Sequence, residues 1–292
     1  MNALLAVYLW SQVAIPGKNV VQQFGINDRG QTVVTSDDGT SGIYDHRRFT
    51  PLPAPPASCS CTITGVAVND GGVVVGLSAP SAGGPEQGFI LSGSVYTFFS
   101  WPGWDNTEPR GISSQGLVVG WAFSNDFTRS AGFVYDPSSG TFTNVTPGSG
   151  YPSIVQGINR FGRVAGTFIQ PSPRRVSGLV AQPGETSAFG AAQLPFVNHF
   201  QVAGVGTRAR GINDFGIVVG WVSAAGGGFT SFVGNDSWGY QFVFPPGSDL
   251  AGRTGFCTGI NNRGQLACSV TDNNFSQTYG LYIGTPGSDE QE

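Results

Sequence analysis

The chain contains Gly211-Ile212-Asn213-Asp214-Phe215-Gly216, and five other segments repeat this phrase closely. The six copies begin at residues 25, 67, 111, 157, 211 and 259, so successive copies lie 42 to 54 residues apart. An internal period of this length indicates an array of similar units that stack or surround an axis. The other copies are Gly25-Ile26-Asn27-Asp28-Arg29-Gly30, Ala67-Val68-Asn69-Asp70-Gly71-Gly72, Gly111-Ile112-Ser113-Ser114-Gln115-Gly116, Gly157-Ile158-Asn159-Arg160-Phe161-Gly162 and Gly259-Ile260-Asn261-Asn262-Arg263-Gly264.

Each copy is followed by runs that have the composition of β-strands. In the third unit these runs are 117–121 and 132–135, which are rich in Val and aromatic residues. A further short run, 141–148 in the same unit, closes most units. Six units of four strands predict an all-β fold, a six-bladed β-propeller of four-stranded antiparallel blades.

The repeated phrase itself has two structural interpretations. The Asn-Asp-x-Gly step predicts a hairpin turn, because Asn and Asp side chains cap their own backbone and the final glycine accepts a positive φ. The leading glycine is expected on the innermost strand, where adjacent sheets crowd most closely and a residue without Cβ lets them approach.

The N-terminal segment is expected to close the ring. Residues 8–17 resemble the closing strands of the other units, yet they precede the first repeat, and the sixth unit lacks such a strand after residues 280–283. We therefore expect this segment to join the last blade, which removes an open sheet edge. A signal peptide is the alternative interpretation of residues 4–10, although no Lys or Arg precedes this apolar run.

Composition favours one β-propeller domain over residues 1–292, with 286–292 as a tail. Only 11% of the residues are charged, whereas 45 are Gly and 21 are Phe, which suits tight turns and apolar sheet interfaces. The net charge of -4 and the lack of any Lys/Arg run argue against a nucleic-acid partner. No apolar stretch is long enough to span a bilayer, and no residue spacing suggests zinc or calcium, so we expect no cofactor.

The four cysteines allow several pairings. Cys257 and Cys268 flank the last turn symmetrically, so a cross-strand disulfide is reachable if the loop has two residues, whereas a bulged turn would shift the register by one. For Cys59 and Cys61 a small strained ring, two free thiols or partners elsewhere are all open. An exported location fits this cysteine usage.

The repeated phrase, followed by Val-Val-Gly and later by Gly-Phe-Val-Tyr, resembles the extracellular HAF-type repeat of exported bacterial proteins. The resemblance covers residues 8–284 and departs from the pattern at Ser113-Ser114 and at Ala267-Cys268. It implies a propeller and a secreted or periplasmic location. It transfers no set of catalytic residues.

The residue before each repeat glycine or alanine is expected on the innermost strand, near the mouth where the long connections lie. Four of these six residues are polar or charged, and Arg208 lies two positions before one of them. Arg suits bidentate recognition of carboxylate, sulfate or phosphate groups. The alternative is that Arg110 and Arg210 pair with Glu108, Asp105 or loop carbonyls and merely fill the channel. The six residues are Phe24, Val66, Arg110, Gln156, Arg210 and Thr258.

Catalytic candidates are few. His46 is expected in an outer turn of the first blade, whereas His199 falls in the longest mouth loop, 183–210. We expect His199 to act as general acid or base with Glu108 as partner, while Arg110 or Arg210 holds a substrate carboxylate or an oxyanion. The predicted ligand-binding residues are Arg208, Gln156, Trp104, Tyr151, Phe196 and Thr258.

The unequal loops favour one asymmetric site over the equivalent pockets of a multivalent lectin. We expect an enzyme, a lyase, cyclase or hydrolase, that acts on a small or oligomeric anionic substrate through Arg and His. A non-catalytic propeller that binds carbohydrate or another small ligand is one alternative. A protein-interaction scaffold is the other, and it would display a large apolar surface patch.

Overall fold

A computed structural model describes residues 7–146, 150–171, 174–182, 206–223 and 228–287. These residues form six antiparallel sheets around a common axis, which confirms the predicted six-bladed β-propeller. Within these ranges every regular element is a strand, and no helix long and apolar enough to span a bilayer occurs.

The first three blades each contain four consecutive strands, from the innermost to the outermost. Blade 1 consists of β2 (Val20–Phe24), β3 (Thr32–Ser36), β4 (Ser41–Asp45) and β5 (Arg48–Pro51). Blade 2 consists of β6 (Cys61–Val68), β7 (Val74–Pro80), β8 (Gln87–Ser92) and β9 (Val95–Phe99). Blade 3 consists of β10 (Asn106–Ile112), β11 (Val118–Phe123), β12 (Ser130–Asp136) and β13 (Thr141–Val145).

The remaining blades follow the same order. Blade 4 has three described strands, β14 (Ser153–Ile158), β15 (Val164–Pro171) and β16 (Arg174–Ala181), and residues 183–205, which follow them, lie outside the described ranges. Blade 5 consists of β17 (Thr207–Ile212), β18 (Val218–Ser223), β19 (Phe229–Asn235) and β20 (Gly239–Val243). Blade 6 consists of β21 (Arg253–Ile260), β22 (Leu266–Asp272), β23 (Thr278–Pro286) and the N-terminal strand β1 (Tyr8–Gln12).

The N-terminal strand closes the ring as predicted. It pairs antiparallel with β23, and Trp10 lies directly opposite Gly284. A Cβ on Gly284 would meet the indole of Trp10 at 2.7 Å, so the glycine makes room for this ring. Because β23 extends to Pro286, the predicted tail begins one residue later than the sequence indicated.

The repeat glycines allow the innermost strands to touch. A Cβ on Gly157 would lie 3.1 Å from the Cα of Gly211, and one on Gly259 would lie 2.7 Å from the Cα of Gly25. Real Cβ atoms are almost never found so close to backbone atoms, so glycine is required where neighbouring blades approach in this way.

The glycine that ends each Val-Val-Gly run makes room for a phenylalanine of the third strand. Gly120 lies opposite Phe133, and Gly220 lies opposite Phe232. Both phenylalanine rings are fully buried. The last glycine of Val-Val-Gly and the phenylalanine opposite it on the third strand therefore form a recurring packing unit. The phenylalanine ring fills the space between neighbouring blades.

The Asn-Asp-x-Gly turns form as predicted and also link the blades. The side-chain oxygen Oδ1 of Asn27 accepts bonds from the backbone N–H groups of Arg29 and Gln31, and Gly30 has a φ of 82°. The same Asn27 side chain donates to the carbonyl of Asn69 in the next blade at 3.0 Å. The aspartate does not cap its own turn, because Asp70 accepts a bond from Asp28 N of the neighbouring blade.

The ring of asparagine links is incomplete between blades 3 and 4. Asn213 donates to Asn261 O at 3.1 Å and Asn261 donates to Asn27 O at 2.8 Å, but Ser113 has no amide to donate to Asn159 O. We expect Ser113→Asn to supply this bond and to raise the free energy of unfolding by about 1 kcal/mol in urea denaturation. Asn213→Ser, which breaks an existing link, should lower it. Destabilisation by Ser113→Asn would contradict this interpretation.

A β-bulge on the innermost strand sets the register of the disulfide. The last turn pairs Ile260 with Leu266, and a regular ladder continued from this pair would place Cys257 one residue away from Cys268. The extra residue Thr258 in the bulge corrects this offset. Cys257 therefore lies directly opposite Cys268, and the two are joined as predicted. The structure also joins Cys59 to Cys61.

Candidate functional site

A ring of aliphatic side chains divides the central channel into two parts. The part near the Asn-Asp turns and the part near the middle are cavities of about 80 Å³ each. The residue that follows each repeat glycine contacts both cavities, so an apolar constriction separates them. A polar ligand would therefore reach the middle cavity from the mouth opposite the turns, without passing the apolar constriction. The six constricting residues are Ile26, Val68, Ile112, Ile158, Ile212 and Ile260.

The residues that precede the repeat glycines and Ala67 face the channel, and β-bulges account for this orientation in five blades. In five blades the residue before the repeat glycine or alanine is the extra residue of a β-bulge, as Arg110 is between Pro109 and Gly111. A bulge bends the strand and re-aims the side chain at that position. In blade 1 the shift lies further upstream. All six residues line the middle cavity: Phe24, Val66, Arg110, Gln156, Arg210 and Thr258.

In blade 3 the cationic group has a partner. Glu108 is almost fully buried, and its Oε2 atom forms an ion pair with Arg110 Nη2. Trp121, which lies opposite Glu108 on the neighbouring strand, donates its indole N–H to the same oxygen at 2.9 Å. One carboxylate oxygen thus satisfies two donors, and the alternative in which Glu108 neutralises Arg110 is correct for this blade.

In blade 5 the equivalent donors have no acceptor. Arg210 and Trp221 occupy the positions of Arg110 and Trp121, but Arg208 stands where blade 3 has Glu108. Among the residues that the structure describes, Trp221 Nε1 and Arg210 Nε are buried without a hydrogen-bond partner. Arg110 Nε in blade 3 is also buried without one, so the two blades differ in the indole N–H of Trp221 and in the missing carboxylate. Arg208 lies 4.3 Å above the Trp221 ring, a cation–π contact that cannot accept a hydrogen bond.

The electrostatics of blade 5 favour an anion. Burial lowers the pKa of Arg208, and burial together with the charges of Arg110 and Arg208 lowers the pKa of Arg210. The Arg210 side chain is enclosed by protein although the channel leaves part of its area open to water. Arginine stays protonated at neutral pH, so a lowered pKa here means an insufficiently compensated positive charge. In the described part of the chain neither guanidinium has a carboxylate within 4.0 Å.

These arginines border a larger cavity of 380 Å³ between blades 3, 4 and 5. Blade 4 contributes Gln156 and Thr167. The Thr167 hydroxyl group is buried and has no hydrogen-bond partner among the described residues. Blade 3 contributes an aromatic wall that includes Trp121 and Phe127. The size lies within the range of small-molecule sites, and the lining combines apolar walls with a few convergent polar groups.

Glu86 forms a carboxyl pair with Glu108 at the edge of this site. It lies in the loop between β7 and β8, and two bonds fix its backbone to blade 3, from Glu86 N to Asn106 Oδ1 at 2.9 Å and from Thr107 N to Glu86 O at 3.0 Å. Its carboxyl group lies close enough to that of Glu108 for the two groups to affect each other's ionisation. Partial burial and Glu108 raise the pKa of Glu86 to about 7, against the opposing effect of Arg110.

This raised pKa predicts a pH-dependent stability. Between the ordinary value of 4.5 and about 7 the folded protein binds more protons at Glu86 than the unfolded chain does, so stability falls as pH rises through this range. Glu86→Gln removes this loss. Its melting temperature should equal that of the wild type near pH 5 and exceed it at pH 8.

A charge-matched control separates this effect from net charge. Asp249→Asn removes one exposed carboxylate, and the difference between its melting temperature and that of the wild type should not change with pH. If the melting temperatures of Glu86→Gln and the wild type differ by the same amount from pH 5 to 8, the pKa of Glu86 is not raised in the folded protein.

The other predicted site residues lie elsewhere or outside the described ranges. Trp104 packs against Trp101 and beneath Arg129, and Tyr151 stacks on Phe168. Neither of them lines the three cavities described above. His199 and Phe196 lie in 183–205, outside the described residues. His46 occupies the outer turn of blade 1, as expected.

In sequence, no protein-family model matches the chain, and no curated protein matches it either. The HAF-type resemblance therefore stays a prediction from the repeated phrase.

In structure, the chain is similar to several propellers. It superposes on TolB from Acinetobacter baumannii with a TM-score of 0.52 and 11% identity, over 93% of this chain and 63% of TolB, so it spans less than two thirds of that protein. It superposes on a gluconolactonase from Xanthomonas campestris with a TM-score of 0.53 and 10% identity, over 96% and 90% of the two chains. A six-bladed fungal lectin from Aleuria aurantia gives a TM-score of 0.44 and 10% identity over 97% and 99%. At these identities the similarity concerns the fold.

Proposed function

We propose that the protein binds a small or oligomeric anionic substrate at the channel mouth and acts on it as a lyase, cyclase or hydrolase. The observation that carries this proposal is the set of unsatisfied donors on Arg210 and Trp221 beside Arg208. Burying such groups costs stability unless a ligand is recognised there.

Blade 3 supplies the template for the bound anion. Glu108 accepts from Arg110 and Trp121, and a ligand carboxylate, sulfate or phosphate in blade 5 would accept in the same way from Arg210 and Trp221. Arg208 would add a third donor. Gln156, from the intervening blade, faces the same cavity and can donate or accept through its amide. We retain Thr258, Trp104, Tyr151 and Phe196 as further ligand-binding candidates.

The carboxyl pair supplies acid–base chemistry beside the anion. Two carboxyl groups that share a site separate into a proton donor and a proton acceptor near neutral pH. In this proposal Glu86 is the donor and the ion-paired Glu108 is the acceptor, while Arg110 and Arg210 stabilise negative charge that develops on the substrate. His199 remains a second candidate for general acid or base.

Calorimetric titration tests the anion site. The probes are glucuronate, glucose 6-sulfate, citrate and inorganic phosphate, with glucose as the neutral control. We expect at least one anion to bind, glucose not to bind, and the Arg208→Ala, Arg210→Ala double variant to lose binding. Arg29→Ala removes an exposed charge at the opposite end of the channel and should retain it. Equal binding by the double variant, or no binding of any anion, would overturn the proposal.

A non-catalytic carbohydrate-binding propeller is the second candidate, and the exposed Phe127 ring that lines the same cavity favours it. Incubation of the bound compound followed by mass spectrometry separates the two candidates. An enzyme converts the compound, and Glu86→Gln and Glu108→Gln each slow conversion by about 100-fold or more. Recovery of an unchanged compound that binds tightly would support the binding protein instead.

An exported location accompanies this proposal. The two disulfides are compatible with it, because disulfides persist in oxidising compartments such as the periplasm and the extracellular space. We propose that the protein is secreted or periplasmic, where acidic saccharides and other soluble anions are accessible to it.

A further inference from the structure

Two mouth loops hold a phenylalanine in the same unusual conformation. Phe127, between β11 and β12, has a φ of 55°, and Phe275, between β22 and β23, has a φ of 58°. Both backbone N–H groups bond to the carbonyl three residues earlier, at 2.8 and 3.1 Å. Bulky residues rarely adopt a positive φ, and such positions cluster at functional sites.

A comparable loop of this protein uses glycine for the same purpose. In the loop between β7 and β8, Gly83 has a φ of 78° and donates its backbone N–H to Pro80 O at 3.0 Å. The turn therefore does not require an aromatic side chain. The two phenylalanines occupy a conformation that glycine adopts without strain, so their rings are expected to serve something other than the turn.

Both rings are supported from behind and open to water in front. Phe127 is 70% exposed and stacks on Phe123 at 5.0 Å, which in turn stacks on Trp121 at 4.2 Å. Phe275 is 48% exposed and contacts Phe229 at 5.0 Å. Rings held in this way offer a fixed apolar face, because little side-chain entropy is lost when a ligand stacks on them.

The cationic centre lies between these two rings. Phe127 lines the same cavity as Arg208 and Arg210. On the other side, Phe275 lies 6.4 Å from Trp221, the ring on which Arg208 stacks. One exposed ring therefore shares a cavity with the two arginines, and a second exposed ring contacts the indole on which Arg208 stacks. The complementary ligand has apolar faces on both sides of an acidic group.

We propose that Phe127 and Phe275 are stacking subsites that flank the Arg208–Arg210 anion subsite, and that the protein takes an acidic oligosaccharide rather than an isolated small acid. This inference rests on the proposed function and names its substrate class. Pyranose rings present apolar C–H faces at regular intervals along a chain and carry carboxylates between them, which matches the alternation of aromatic and cationic groups at the mouth.

Calorimetric titration with galacturonate and trigalacturonate tests the inference. In the wild type, two additional stacking contacts should lower the Kd of the trisaccharide at least about tenfold below that of the monosaccharide. Phe127→Ala and Phe275→Ala should each weaken the binding of the trisaccharide and leave the affinity for galacturonate unchanged. Phe215→Ala removes an equally exposed phenylalanine from the opposite, turn-bearing face and should affect neither. Phe127→Gly relieves the strain, so its melting temperature should be retained or raised while trisaccharide binding falls.

The outcomes separate this inference from the proposed function. Equal affinity for galacturonate and trigalacturonate, with both lost in the Arg208→Ala, Arg210→Ala variant, would overturn the stacking subsites and leave the anion site standing. Tighter binding of triglutamate than of trigalacturonate would overturn the saccharide in favour of an acidic peptide. Failure of both sugars to bind would overturn this inference, while the panel of other anions decides the proposed function independently.

Discussion

Arg208→Glu is expected to abolish anion binding and to raise the free energy of unfolding by about 2 kcal/mol. The variant rebuilds in blade 5 the arrangement of blade 3, with a carboxylate opposite Trp221 and two positions before Arg210. By analogy with blade 3, that carboxylate would accept from Trp221 Nε1, which lacks a partner in the described structure, and would form an ion pair with the Arg210 guanidinium. Binding should fall at least about 100-fold, because the protein's own carboxylate fills the anion subsite. Urea denaturation measures the stability, and calorimetric titration with the best-binding anion measures the affinity.

Two variants make this result specific. Arg208→Gln removes the positive charge without adding a carboxylate, so it should weaken binding and stabilise the fold less than Arg208→Glu. The reverse change, Glu108→Arg, leaves Arg110 and Trp121 without their acceptor and should strongly destabilise the protein. If Arg208→Glu binds anions normally, or unfolds more readily than the wild type, the comparison between the two blades is wrong.

Gly259→Ala is expected to lower the free energy of unfolding by about 3 kcal/mol. Its new Cβ would lie 2.7 Å from Gly25 Cα and 2.8 Å from Gly25 C, and a backbone atom cannot move aside as a flexible side chain can. Relief requires blades 6 and 1 to separate at the inner strand, where the ring closes. Urea denaturation at constant pH measures this loss.

Blade 2 provides the matched control, because Ala67 occupies the same position of the repeat. Ala67 already carries a methyl group at this position, and a Cβ on the neighbouring Gly25 would lie 3.7 Å from Ala67 Cβ, an ordinary contact. Ala67→Gly should cost less than about 1 kcal/mol, mainly through the backbone freedom of the unfolded glycine. Equal effects of the two substitutions would contradict the role assigned to the repeat glycines.

Much of the fold was predictable because single residues carry strong local requirements. The glycine before Ile212 is needed where inner strands touch, Asn213 caps a tight turn, and Gly216 adopts a positive φ. These requirements recur in most blades, with Ala67 and Ser113 as departures, so they appear in the sequence as a period. The link from Asp70 to Asp28 of the neighbouring blade was not predictable, because it depends on how far apart successive turns lie.

The site was predictable only where it follows the repeat. Arg110 and Arg210 could be placed on the innermost strand near the mouth because each precedes a repeat glycine, whereas their orientation toward the channel depends on the β-bulges. Glu86 was missed, since it lies in a loop of another blade whose sequence has no counterpart in the other units, and only the bonds to Asn106 and Thr107 bring it to Glu108. The exchange of Glu108 for Arg208 was visible in an alignment of the third and fifth units. That this exchange leaves the indole N–H of Trp221 without an acceptor could be seen only from the cross-strand register, which places Arg208 opposite Trp221.

A crystal structure with bound galacturonate would show whether the donors of blade 5 hold an acid. We expect its carboxylate between blades 3 and 5, within hydrogen-bond distance of Arg210 and of Trp221 Nε1, in the position that corresponds to the Glu108 carboxylate of blade 3. A structure in which Arg210 and Trp221 bond to the chain's own acceptors, with galacturonate bound elsewhere or not at all, would contradict this expectation.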